Sequence, residues 1–183
     1  MMGTQEVVLV NEKDQVLGTM EKIRAHEEGV LHRAFSVIIF NADGEMLIHQ
    51  RANDKYHCGG LWTNACCSHP RLHESPAAAA QRRLEEEMGF TAKMDYLGSF
   101  IYKVKFENGL TEHEFDHMFC GQYDGEIQPH PDEVEDWKYV PLEKLYQDVD
   151  HRPEIYTFWF KDILENRKKE LLKYDQGRKK NYI

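Results

Sequence analysis

The sequence predicts an α/β (α+β) chain in which one mixed sheet is sandwiched between flanking helices. Three observations carry that expectation. Short apolar runs with period-two alternation recur along the chain, separated by turn residues. One capped helical stretch sits in the middle and another apolar one near the end. No Gly-rich phosphate loop or dinucleotide fingerprint opens a doubly wound sheet.

Taken in order, "EVVLVNEKDQVLGTMEK" reads as a hairpin turning at Asn11–Gln15. "LHRAFSVIIFNADGEMLIHQR" repeats the pattern, with a strand to Phe40, a turn holding Asp43-Gly44 and a strand to about Arg51. A Gly-containing loop over 52–62 leads into an extended stretch around Thr63–Cys67. In "ESPAAAAQRRLEEEMGF", Ser75 suits the N-cap, Pro76 the first helical position and Gly89 the stop, with Ala77, Ala80, Leu84 and Met88 as the apolar stripe. A long hairpin follows, "YLGSFIYKVKF" and "LTEHEFDHMFCGQY", turning at Asn108-Gly109. A strand near "VEDWKYV", a short helix after Pro141 and a helix from about Pro153 to Leu172 close the chain, and "GRKKNYI" reads as a frayed basic tail.

With 183 residues and no repeats, the expectation is a single domain over 1–183. No run approaches a membrane span, and "MMGTQEVVLV" has no basic stretch ahead of an apolar core, so a cytoplasmic protein without a secretory leader is expected. A net charge of −9 argues against nucleic acid and anionic membrane as partners, and any anionic ligand would need local cations or metals to overcome that field.

The chemistry centres on "TNACCSHP", residues 63–70. Adjacent cysteines rarely bridge each other, and reduced thiols are the default without an export signal, so a disulfide framework is the weakest reading. If residues 65–69 are extended, Cys67 and His69 share one face and Cys66 faces the core. In "TEHEFD", Glu112, Glu114 and Asp116 share one face of a strand that runs into apolar "MFC". Such a run is often a solvated face; on an interior face the carboxylates would repel unless a cation neutralised them. His26, His32 and His69 are each ordinary alone, but imidazoles and carboxylates from separate segments suit a borderline divalent ion assembled by folding. Arg82/Glu86 and Arg83/Glu87 stand one helical turn apart, either as plain helix pairs or with Glu87 on a hard cation and Arg83 on an anion.

"SHPRLHESPAAAAQRRLEEEMGF" resembles the Nudix box, G-x5-E-x7-R-E-U-x-E-E-x-G-U, at Glu74, Arg82, Leu84, Glu86, Glu87, Gly89 and Phe90. Ser68 replaces its first Gly and Arg83 the first Glu of its R-E pair, which counts against ordinary Nudix hydrolysis. Joined to "TNACCSHP", "LHRAFS", Tyr102-x9-Glu112-x-Glu114 and a tryptophan in the last helix, the box is similar to that of the type 1 isopentenyl-diphosphate isomerases, across nearly the whole chain. One departure is "YHCGG" at 56–60, where many members carry an aromatic-Pro-Gly.

The resemblance implies a Nudix-type mixed sheet sandwich that converts isopentenyl diphosphate to dimethylallyl diphosphate in isoprenoid biosynthesis, through a tertiary carbocation. It implies that His26, His32, His69, Glu112 and Glu114 hold a Mn²⁺, Zn²⁺ or Mg²⁺ ion, and that Glu87 is associated with a Mg²⁺ bridging the diphosphate. Lys22, Arg51, Lys55 and Arg83 would contact that diphosphate, and Trp159 the hydrocarbon. Glu114, assisted by Tyr102, would protonate; Cys67 would deprotonate, as a thiolate favoured by His69 and metal. The partner implied is this small isoprenoid diphosphate, bound by a monomer or weak homodimer. A divergent Nudix diphosphate hydrolase is the alternative, favoured by Glu86 and Glu87.

Overall fold

In the computed structural model, which describes residues 5–55 and 57–173, the first hairpin forms as expected from β1 (Glu6–Val10) and β2 (Val16–Glu21). Asn11 closes its turn by accepting the Lys13 and Gln15 backbone N–H groups on its side-chain oxygen. Helix α1 (Lys22–Glu28) then starts without a loop, where the sequence expectation had run the strand on through Lys22. Glu21 caps it by accepting the Arg24 N–H, and Gly29 ends it in the left-handed region.

Strand β3 (His32–Phe40) is the central element, because its residues are apolar on both sides. Phe35, Val37 and Ile39 enter one core while Ile38 and Phe40 enter the other. β4 (Glu45–Arg51), β5 (Trp62–Asn64) and β6 (Cys66–Ser68) follow. Helix α2 (Pro76–Met88) covers one face, and a hairpin of β7 (Met94–Lys105) and β8 (Thr111–Gln122) extends the sheet. β9 (Val134–Pro141), α3 (Leu142–His151) and α4 (Phe158–Asn166) complete the chain. β3 pairs parallel with β8 over its whole length and antiparallel with β6, while β4 carries β5 and β9 antiparallel. Cores on the two faces, one packed under α2 and one under α3 and α4, make the expected mixed-sheet sandwich with flanking helices. Among the described residues no helix is long and apolar enough to cross a membrane. Tyr56 and the basic tail lie outside the described residues.

Two sequence expectations differ in their boundaries. Ala77 is exposed and Ala79 buried, because residues 75, 77 and 78 stand clear of the sheet and only the later turns of α2 cover it. A 3₁₀ turn does start at Pro153 (Pro153–Ile155), but the α-helix begins only at Phe158: Tyr156 bridges Trp62 as a strand would, and Thr157 N–H donates to the Trp62 carbonyl, holding 156–157 extended. The helix also breaks at Arg167 before helical backbone resumes over 168–173.

Gly89 closes α2 at φ 77°, and a Cβ there would sit 2.4 Å from the Gln128 carbonyl oxygen. Gly89→Ala is therefore expected to cost about 2 kcal/mol or more in urea unfolding, from left-handed strain plus a backbone clash. A loss under about 0.5 kcal/mol would show that the α2 end relaxes freely.

Candidate active site

The site lies on the sheet face beneath α4, in a cavity of about 300 Å³. Period-two alternation in β8 turns Glu112, Glu114 and Asp116 inward, all buried, and leaves His113, Phe115 and His117 on the half-buried opposite face. Asp116 accepts from Ser36 Oγ at 2.7 Å and stays below the site floor. The Tyr102 hydroxyl lies 2.6 Å from Glu114 Oε2 and 3.0 Å from Glu112 Oε2, so one phenol bridges two carboxyls.

Three imidazoles face this pair. His26, delivered by α1, places Nδ1 2.7 Å from the Lys22 carbonyl, and His32, at the start of β3, places Nδ1 2.8 Å from that of Val30. A carbonyl only accepts, so both Nδ1 atoms donate and both Nε2 atoms are left facing the site. Ring centroids of His26 and His32 are 4.9 Å apart, and those of His32 and His69 5.1 Å. His69 Nε2 sits 2.9 Å from Glu114 Oε1, and His32 Nε2 sits 3.5 Å from the same oxygen.

Nε2 atoms from two histidines converge on one buried carboxylate oxygen, the donor arrangement a cation takes up. One donor atom from each of His26, His32, His69 and Glu114 lies within 4.8 Å of the others, so the residues fit a divalent ion. The protonation pattern agrees. Burial, then the charge of Glu114, pushes Glu112 well up from the usual carboxylate range. Burial works to raise Glu114 too, but contacts with His32 and His69 outweigh it and hold it well below. Glu112 is thus biased toward its protonated form and Glu114 toward its ionised form. Burial keeps His69 neutral, its pKa pushed down to about 3 despite Glu114.

Cys66 and Cys67 part as expected. Cys66 is fully buried under α2, while Cys67 turns to the cavity that His69 also lines. The thiolate expected at Cys67 was to be favoured by His69 and a metal together, and without the metal this arrangement favours the thiol. Burial pushes the thiol well up, Arg51 works against that, and Glu87, Glu114 and Glu112 add to it. The neutral His69 supplies no positive charge to lower it, so the thiol keeps its proton.

The predicted diphosphate contacts Lys22, Arg51, Lys55 and Arg83 all line the cavity. Burial lowers the Lys22 pKa, against the pull of Glu114. Arg83 is engaged with Glu87 at 2.6 Å, Glu86 at 2.7 Å and Glu133 at 3.2 Å, and Lys55 ion-pairs with Glu133. Glu87 itself is buried at the same wall, its pKa raised by burial and held back by Arg83. Arg51 is freer: its Nη2 makes one long hydrogen bond, 3.4 Å to the His57 carbonyl, and its buried Nε makes none. Its guanidinium carbon lies 5.3 Å from the Trp159 ring centroid. Trp159 is fixed by its indole N–H, which donates to Thr63 Oγ1 at 2.9 Å.

Sequence reasoning missed His57, His49 and Glu133, which also line the cavity. His57 stands within the quoted "YHCGG" stretch, so its signal was a histidine in a loop already marked as unusual. Burial and Arg51 keep it neutral, with a pKa pushed down to about 3.

Residues 30–160 match the NUDIX domain family, and the fold and site together define a Nudix domain. Solved structures agree on the fold: a MutT protein from Methanosarcina mazei superposes with a TM-score of 0.64 at 20% identity, covering 76% of this chain and 94% of that one. DR0079 from Deinococcus radiodurans gives 0.67 at 17% identity, covering 80% and 90%. Among curated relatives, Isopentenyl-diphosphate Delta-isomerase 2 of Aromatoleum aromaticum is 49% identical over 160 residues, 87% of this chain and 85% of that protein. Isopentenyl-diphosphate Delta-isomerase of Serratia proteamaculans is 46% identical over 160 residues, 87% and 89% respectively. The chain belongs to the isopentenyl-diphosphate Delta-isomerase family.

Proposed function

We propose that this enzyme interconverts isopentenyl diphosphate and dimethylallyl diphosphate by adding a proton at C4 and removing one from C2. One observation carries the reading: Cys67 and the Tyr102–Glu114 pair line the same cavity as a buried indole, Trp159. An unactivated alkene is a poor base, so the donor must be held against it. Glu114 with Tyr102 delivers the proton to C4, leaving positive charge at the tertiary C3. The Trp159 face stabilises that cation without attacking it, by about 2 kcal/mol or more when desolvated. Burial of the site excludes the water that would capture the cation as an alcohol. Cys67 takes the C2 proton, and the electron pair left behind closes the new double bond. To do so it must first give up its resting proton, which Arg51 beside it favours; passed to Glu114, ionised at rest, that proton becomes the one delivered to C4.

His26, His32, His69, Glu112 and Glu114 would hold a Mn²⁺, Zn²⁺ or Mg²⁺ ion, and Glu87 would hold Mg²⁺ at the diphosphate; such ions supply the positive charge that lets both β8 carboxylates ionise and offsets the phosphates. Arg51, with its buried unpartnered Nε, is the first contact for the diphosphate. Lys55 and Arg83 reach it once they exchange Glu133 for phosphate oxygens. The four free cysteines suit the reducing cytoplasm. The enzyme works as a monomer or weak homodimer.

The decisive assay incubates chelator-stripped protein with isopentenyl diphosphate in D₂O, with and without added Mn²⁺ and Mg²⁺. Metal-dependent deuterium is expected at C4 of the product and, through the reverse reaction, at C2 of the recovered isopentenyl diphosphate. Release of inorganic phosphate or a monophosphate, with no isomer formed, would replace this reading with hydrolysis.

A further inference from the structure

The five-donor metal centre proposed above leaves one neighbouring imidazole without a role. His57 reaches the centre from the loop between β4 and β5. Its Nε2 lies 3.3 Å from Glu112 Oε1, and its ring centroid is 6.0 Å from that of His26. One donor atom from each of His26, His57 and Glu112 lies within 4.8 Å of the others.

Because His26 commits Nδ1 to the Lys22 carbonyl, it has only Nε2 to offer. The triad with His57 and the tetrad with His32, His69 and Glu114 therefore meet at the same atom, and serve one ion and not two. The two carboxyls present matching halves. Tyr102 engages Oε2 of both, and each Oε1 faces an imidazole: Glu114 faces His69 and His32, Glu112 faces His57.

The placement of His57 is built into the backbone. Cys58 turns in the left-handed region at φ 53°, and a Cβ on Gly59 would lie 2.5 Å from the Asn53 carbonyl oxygen, so the tight "HCGG" sequence is what turns the imidazole inward. Once there, the ring stacks on Phe106 (5.3 Å, 11°) and meets Trp159 edge-on (6.0 Å, 85°), which fixes its plane.

We propose that His57 is a sixth protein donor to the metal, on the Glu112 side of the centre. It deepens the metal-dependent reading above and rests on it. Six protein donors match six-coordinate ions such as Mn²⁺ better than the four-coordinate geometry usual for zinc, and they leave no position for a bound water. A centre closed in this way holds charge but does not generate a nucleophile, which separates it from hydrolytic Nudix chemistry.

The test uses Mn²⁺ and the full chain. A crystal structure of the Mn²⁺-loaded wild type is expected to place His57 Nε2 within coordination distance of the ion. In parallel, the EPR signal of free Mn²⁺ reports affinity for the wild type, His57→Phe, His57→Ala and His32→Ala, with circular dichroism confirming that each is folded. His57→Phe keeps a ring against Phe106 and removes the donor, so it should weaken Mn²⁺ binding about tenfold or more, as His57→Ala does. His57 outside coordination distance in the loaded wild type overturns the proposal, whatever the variants do. So does wild-type affinity in His57→Phe with loss only in His57→Ala, which would make the ring a packing element. If His32→Ala binds as tightly as the wild type, the five-donor centre itself fails and this proposal falls with it.

Discussion

Glu114→Gln is expected to slow interconversion of the two isomers about 10³-fold while leaving the chain folded. Glutamine keeps the shape and a carbonyl that Tyr102 can donate to, so the hydrogen bond at 2.6 Å has a substitute. It loses what the site is built around. Glu114 is the carboxyl held ionised by His32 and His69, and its Oε1 is the oxygen that both imidazoles face. An amide in its place can neither carry the C4 proton nor contribute negative charge to a cation. Both losses fall in the range that removal of a positioned acid or base produces. The measurement separates them: kcat at saturating Mn²⁺ and Mg²⁺, with bound metal determined on the same sample. Low kcat at full metal occupancy assigns the loss to proton transfer; turnover within tenfold of the wild type would remove Glu114 from the chemistry altogether.

The inward carboxylates were legible because strand alternation is local. The turn at Asn108-Gly109 and the apolar "MFC" fix which face of β8 is buried, and Glu112, Glu114 and Asp116 follow. The split of Cys66 from Cys67 was legible for the same reason, and α2 because Ser75 and Gly89 mark its ends. Helix α1 was not. Its cap is Glu21, a residue with no strong capping signature, and seven residues give too little periodicity to separate from the strand before it. The state of the cations was equally hidden. Arg83 meets Glu133 across 50 positions and Lys55 meets it across 78, contacts that only the tertiary fold creates. His57 was concealed by backbone conformation: a left-handed Cys58 has no sequence signature beyond the two glycines after it. The thiolate expected at Cys67 rested on His69 and a metal together, and His69 by itself does not supply the charge. Burial is the main force raising the thiol, Arg51 opposes it, three carboxyls add to it, and His69 is neutral.

Cys67→Ala is the second large effect, and it tests both the role of the sulfur and the direction of proton flow. The side chain sits on β6 opposite Ser36 of β3, and lines the cavity with Glu114 and Trp159. Removing it leaves the core under α2 untouched, because Cys66 fills that position. Stability should change by less than about 1 kcal/mol, in line with loss of one small side chain at a cavity wall. Net isomerisation should fall about 10³- to 10⁴-fold. Cys67→Ser should be rescued little, since a hydroxyl is a far weaker acid than a thiol and supplies no comparable base at neutral pH. If Glu114 and Tyr102 serve C4 while Cys67 serves C2, the cation can still form in Cys67→Ala and return. Isopentenyl diphosphate recovered from D₂O should then carry slow label at C4 alone. In dimethylallyl diphosphate offered to the same variant, exchange at C2 should be absent. Label at C2 and none at C4 would reverse the assignment, giving the thiol the methylene end and the carboxylate the other. The resting protonated thiol gives a further check: metal-free enzyme should resist alkylation by iodoacetamide at pH 7, because only the thiolate reacts. Rapid alkylation confined to Cys67 would mean that the positive charge of Arg51 prevails over burial, and that the base is formed before substrate arrives.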